Sequence, residues 1–191
     1  MSPLIELIGG AKSYGWGNLA SATPAYASIA SAVGAGASSI VFSSIPQTFK
    51  HLQLRILSGN SLGTQMYLQL NTDTGANYSR IRLRGNGSTM QVATTTGVTD
   101  YVEFGVTGDQ TTYDTKMMGA TICDILDYSS NTKKTTTLSL SGFDINAAGG
   151  RTEVHETFWN NTDAITSVGI WSPSGRTWST NSTFALYGIK G

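Results

Sequence analysis

From residue 38 onward, apolar and polar positions alternate in short runs broken by turn residues. In His51-Leu52-Gln53-Leu54-Arg55-Ile56, the leucines and isoleucine fall on one face and His51, Gln53 and Arg55 on the other. Met66, Leu68 and Leu70 alternate with Tyr67 and Gln69. In Ser79-Arg80-Ile81-Arg82-Leu83-Arg84 the pattern predicts Ile81 and Leu83 inward and three arginines outward. Asn86-Gly87 then marks a hairpin. Val102, Phe104 and Val106 share a face, residues 120–128 read as a buried strand, and Leu138 and Leu140 alternate with Thr137 and Ser139. Strands over 153–159 and 164–171 follow, and Phe184-Ala185-Leu186-Tyr187-Gly188-Ile189 is apolar on both faces. That last run predicts a strand buried on both sides, in the core or against a neighbouring subunit. The sum is roughly ten short strands with no amphipathic helix and no fixed-period repeat, the pattern of an antiparallel β-sandwich, jelly-roll-like in character.

Residues 1–37 break this rhythm. A short apolar stretch is followed by glycine, alanine and serine without a period, and only residues 25–32 carry a weak helical signal. The expectation is an all-β domain over 38–191 preceded by an extended N-terminal arm over 1–37. Leu4, Ile5, Leu7, Tyr14 and Trp16, with Tyr26, are its candidate contacts to a partner surface.

Composition strengthens the β reading and narrows the partners. Charged residues make up only 13% of the chain, while 22 Ser, 26 Thr and 22 Gly fill the space, favouring strands and tight connections. Twelve basic and twelve acidic residues cancel, so no global field steers the protein to nucleic acid or an anionic membrane. A near-neutral, charge-poor surface suits a protein packed among copies of itself, as a dimer or trimer, or against a partner. Neither a secretion signal nor a membrane-spanning run is read from the sequence, which points to synthesis in the cytoplasm. The single cysteine, Cys123, lies in an apolar run and reads as a small buried hydrophobe.

Little chemistry is legible. His51 and His155 both sit in strands. Glu153 and His155 share a face, but two ligands are too few for a metal centre, and a surface strand is the simpler reading. Asp124 with Asp127, and Glu153 with Glu156, fall on opposite strand faces and form no glycosidase pair. Two carboxylates meeting in an open cleft would reopen that reading. Asn71-Thr72-Asp73-Thr74-Gly75 echoes a calcium loop but lacks its distal glutamate, so an Asx turn is expected. The arginine stripe Arg80, Arg82 and Arg84 is expected to pair with carboxylates on adjacent strands. Trp171, Arg176 and Trp178 are candidates for a glycan-facing surface. No catalytic, cofactor-binding or metal-ligating residue is assigned.

Several segments, in order along the chain, resemble virion structural proteins of tailed bacteriophages. They are Phe42 to Arg55, with Ile45-Pro46-Gln47-Thr48-Phe49-Lys50-His51 at its centre; Leu68-Gln69-Leu70-Asn71-Thr72-Asp73-Thr74-Gly75-Ala76-Asn77-Tyr78; Asp124-Ile125-Leu126-Asp127-Tyr128; and Phe184 to Gly191. The resemblance covers about residues 40–191. It implies a non-enzymatic β-sandwich located in the virion, on the capsid surface or tail. Its role there would be decoration or cement, binding the major capsid protein or another virion protein. The alternative is a tail-fibre or receptor-binding module that recognises host glycan. The resemblance brings no catalytic residues. It marks the turn at Pro46, the loop at 71–75 and the closing strand as fold signatures.

Overall fold

A computed structural model describes residues 25–61, 65–112, 114–145, 149–172 and 175–191. The arm candidates Leu4, Ile5, Leu7, Tyr14 and Trp16 lie outside these residues. The described chain is all-β, with thirteen strands: β1 Tyr26–Val33, β2 Ser39–Phe42, β3 His51–Asn60, β4 Gln65–Leu70, β5 Tyr78–Gly85, β6 Met90–Val98, β7 Val102–Val106, β8 Gly108–Asp109, β9 Gly119–Ile125, β10 Thr135–Asp144, β11 Gly150–Trp159, β12 Val168–Trp171 and β13 Thr183–Ile189. They form a β-sandwich. The wide sheet runs β1-β13-β3-β9-β10-β11-β5-β6, with the short β8 paired in parallel to β3; the narrow sheet runs β2-β12-β4-β7. All other pairings are antiparallel.

The core fills from both inner faces. Leu52, Leu54 and Ile56 on β3 point inward as their alternation predicts, and meet Met66, Leu68 and Leu70 of β4, Phe42 of β2 and Ile170 of β12. Phe184 and Leu186 of β13 complete this half, with the Phe184 and Trp178 rings 5.2 Å apart.

Several assignments are corrected. Residues 26–33 are the edge strand β1, paired with β13, and not helix; the sandwich therefore begins before residue 38. Serine and the β-branched Ile29 and Val33 tolerate an extended backbone, and sheet pairing outweighs a marginal helix propensity. Tyr26 anchors this strand to its own sheet. Its hydroxyl donates to Gln53, its ring lies 5.0 Å from that of Tyr187, and the Arg55 guanidinium sits 5.0 Å and 5.4 Å from the two ring centroids. The closing strand is buried on one face only. Phe184, Leu186 and Gly188 are inside, while Ala185, Tyr187 and Ile189 are half-buried on the outer face of the wide sheet. Gly188 is required, because the Phe49 ring would lie 2.3 Å from a Cβ there.

The segments that carry the resemblance meet in space. The Tyr128 hydroxyl donates to the Pro46 carbonyl, the Asp127 N–H donates to His51 Nδ1 at 3.0 Å, and Lys50 pairs with Asp127 at 2.9 Å. His51 is thus half-buried and engaged instead of free on the surface. The 71–75 loop is an Asx turn: Asp73 Oδ1 accepts from the Gly75 N–H at 2.8 Å. Its other oxygen accepts from Asn77 at 2.9 Å and from Trp159 Nε1 at 2.7 Å. Burial alone would raise the Asp73 pKa. The donors from Trp159, Asn77 and Gly75 outweigh it and hold the carboxyl below its ordinary value.

Candidate functional site

Two features set this sandwich apart: charges where a core is expected, and apolar residues where a surface is expected. Both come from a reversal of faces on β5, β10 and β11. On β10 the inward residues are Thr135, Thr137, Ser139 and Ser141, while Leu138 and Leu140 face solvent. On β5 the three arginines point into the sandwich, and Ile81 and Leu83 point out. This corrects the reading of β5, which placed Ile81 and Leu83 inward, and fixes the faces of β10.

The cause is β7. It is an edge strand of the narrow sheet, packed over β9, β10, β11 and β5, with all five residues buried. A buried edge needs hydrogen-bond partners for its open backbone groups. The Ser139 hydroxyl donates to the Phe104 carbonyl, and Thr121 Oγ1 donates to the Val106 carbonyl at 3.3 Å. Ser139 and Thr121 thus serve this edge from the inner face of the wide sheet, while the buried hydroxyls of Thr137, Ser141 and Thr157 on the same face do not bond to it.

Glu103 on β7 brings a carboxylate into the same region. Arg80 reaches it at 2.9 Å and Arg82 at 3.0 Å, so the ion pairs join the two sheets. Beside them, Glu153 is fully buried and takes Arg84 Nε at 2.6 Å, His155 Nε2 at 2.7 Å and Arg151 Nε at 3.5 Å. Burial raises the Glu153 pKa. The His155 hydrogen bond and charge, then Arg84 and Arg151, outweigh that and hold it below its usual value. The expected pairing of the stripe with carboxylates is present, one partner on the adjacent strand and the other on the facing sheet. His155 is corrected from the surface to the interior, with no exposed area.

Among the described residues, Glu103, Glu153 and His155 are the group whose ligand atoms converge, all within 4.8 Å of one another. The surroundings oppose a cation. Four guanidiniums from Arg80, Arg82, Arg84 and Arg151 face two carboxylates, and each carboxylate already accepts from arginine. Nor do the two carboxylates line an open cleft, since both are buried. The Glu103 pairs clamp the two sheets together, and the Glu153 pairs tie β5 to β11 within the wide sheet. Cys123 is fully buried and its thiol is pushed up to about 12 by burial, away from nucleophile chemistry.

No protein-family model matches this chain, and neither does any curated protein or solved structure. Its surface must therefore be read from its own residues.

The outer face of the wide sheet is the second feature. Strand register aligns Ile122, Leu140, Val154, Leu83 and Val92 in one row across β9, β10, β11, β5 and β6. The next row is Ala120, Gly142, Thr152 and Gly85, ending in Met90. Leu57, Ile81, Leu83, Val92, Met90, Ile122, Leu138 and Leu140 on this face are between 44% and 73% exposed. Scattered exposed aliphatics are ordinary, but a contiguous apolar face across five strands marks an interaction surface.

Of the glycan candidates, Trp178 is corrected: it is 1% exposed and belongs to the core. Trp171 is half-buried and stacks on Tyr101, ring centroids 6.2 Å apart and 20° between planes; Tyr101 in turn lies 5.0 Å from Tyr67. Burial, then the Glu103 carboxylate, raises the Tyr67 pKa, with Arg176 nearby opposing. Sequence reading found Trp171 and Arg176 but missed Tyr67, which the pairing of β12 with β4 brings to Trp171, and Tyr101, which the pairing of β4 with β7 brings beside them. Among the described residues, no helix is long and apolar enough to cross a membrane.

Proposed function

We propose that this protein is a non-enzymatic structural component of a tailed-phage virion, a capsid decoration or cement protein that binds the major capsid shell. The observation that carries the reading is an apolar face of the wide sheet that none of the described residues covers, in a chain with only 13% charged residues. Such a face is a liability for a free monomer and an asset in an assembly. The segments that resemble phage virion proteins support the reading, since they build the Pro46 turn, the Asp73 loop and the β13 closure. The buried ion pairs suit a domain that must hold its shape while bound to a shell.

A direct test is co-sedimentation of the purified protein with capsid shells that lack it. Saturable binding, and shells more resistant to heat or low salt, are the expected results. Absence of binding to shells would sink the reading.

A tail-associated, glycan-binding role is the second reading. The stack of Trp171, Tyr101 and Tyr67 beside Arg176 favours it, because aromatic faces and a cation suit a sugar. A glycan screen with a hit lost in Trp171→Ala, and no binding to shells, would select it.

A further inference from the structure

We propose that the uncovered face is covered by a second copy of this chain, packed face to face about a two-fold axis that runs across the strands. This rests on the reading of that face as an assembly surface and names its occupant.

The shape of the face is self-complementary at its β9–β10 end. There the ridge of branched side chains adjoins a trough at Ala120 and Gly142; the same row carries Thr152 on β11 and ends in Met90, whose sulfur lies over Gly85. A two-fold axis lying between these rows, perpendicular to the strands, places each ridge residue opposite the trough residue of its own strand. Ile122 then faces Ala120 of the second copy, Leu140 faces Gly142, Val154 faces Thr152 and Leu83 faces Gly85. Large meets small on β9 and β10, Val154 and Thr152 match in size on β11, and the Met90 sulfur, which lies over Gly85, must move aside for Leu83; each contact occurs twice, as an isologous interface requires. The strands of the two copies run antiparallel across the interface, within the aligned geometry that twisted sheets adopt.

Charge permits the same arrangement. The two central rows across β9, β10, β11, β5 and β6 hold no charged residue. Asp124 and Glu156 lie one row outside, beside Leu138, and Arg55 lies beyond the β9 end of the ridge. These groups form a polar rim around a neutral centre, the usual anatomy of a protein interface. Area is sufficient but not generous. Five strands at about 4.8 Å spacing and the two central rows about 7 Å apart give ~340 Å² per copy; the flanking row of Leu138, set against that of Asp144 and Gly150, raises this to at most ~670 Å² per copy, or ~1,300 Å² in all. A reversible dimer follows.

Sedimentation equilibrium of the full chain tests this, with Leu140→Lys and Ala120→Arg as variants. Both positions are exposed, so circular dichroism and thermal melting should match the wild type. The wild type is expected to dimerise, and each variant to weaken the dimer at least 100-fold. A wild type that stays monomeric at ~100 µM overturns the proposal, whatever else covers the face. So does a dimer that both folded variants leave intact. Shell binding, measured separately, divides the two claims. A monomer that binds shells removes the dimer alone, and a dimer that ignores shells removes the capsid reading alone.

Discussion

Replacing Glu153 with glutamine keeps its volume and removes its charge. The buried carboxylate accepts from Arg84 at 2.6 Å, His155 at 2.7 Å and Arg151 at 3.5 Å. Glutamine offers one acceptor oxygen and turns the other side of the group into a donor, so at least one donor of the cluster faces another donor. Breaking a buried pair by neutralising one partner costs about 3–5 kcal/mol, because the remaining charge stays desolvated. The Arg84 and Arg151 side chains keep 18% and 20% exposure, so solvent recovers part of the loss. That argues for the lower end, about 3 kcal/mol. In a domain of this size it corresponds to a melting temperature lower by about 6–12 °C. Urea unfolding followed by tryptophan fluorescence reads it as a shift in midpoint with unchanged slope. Glu156→Gln is the control: on the exposed face of the same strand, it should stay within about 0.5 kcal/mol of wild type. Adding Arg84→Met to Glu153→Gln should cost less than the sum of the two single changes. A Glu153→Gln protein within about 1 kcal/mol of wild type would refute the stabilising role of the buried Glu153 ion pairs.

Other consequences are equally open to measurement. Glu153 and Asp73 both have lowered folded pKa values, so their contribution is full above the ordinary carboxylate range and is lost as pH falls through the folded values. Melting temperature should therefore decline below about pH 4, and less steeply in Glu153→Gln; a pH-independent melt between pH 6 and 2 contradicts this. Ser139→Ala leaves the Phe104 carbonyl without its donor on a buried edge, at a cost of about 1–3 kcal/mol by chemical denaturation. Gly188→Val drives side-chain carbons into the Phe49 ring and should lower stability by about 3 kcal/mol or more, checked by thermal melting. Trp171→Ala should leave the fold intact by circular dichroism, whereas Trp178→Ala, in the core, should cost about 3–5 kcal/mol.

The sequence revealed the class of fold and the strands of its apolar half, because there the usual rule holds: leucines on β3 and β4 face a core made of leucines. It misled where the partner surface is polar. Ile81, Leu83, Leu138 and Leu140 alternate as perfectly as Leu52 and Leu54, and periodicity fixes only that a strand has two faces. Which face is inside depends on what lies opposite, and for β5 and β10 that is the edge of β7 with its carbonyls and Glu103. The signal was present in Arg80, Arg82 and Arg84 aligned with the Glu153 and His155 pair: three cations and a carboxylate–imidazole couple on adjacent strands are a cluster seeking partners. The apolar outer face was invisible for the same reason, since Ile81 and Leu83 were assigned to the core and alternation alone left the faces of Leu138 and Leu140 open. The β1 edge was hidden by small residues whose propensities are weak, so that pairing with β13 and the Tyr26–Arg55–Tyr187 contact decided its conformation.

Microscopy of assembled particles tests the central claim most directly. The expected result is density for this sandwich on the capsid surface, with the Leu140 face of the wide sheet against a neighbouring chain. Purified particles without the protein, or particles that carry it with that face open to solvent, would contradict it.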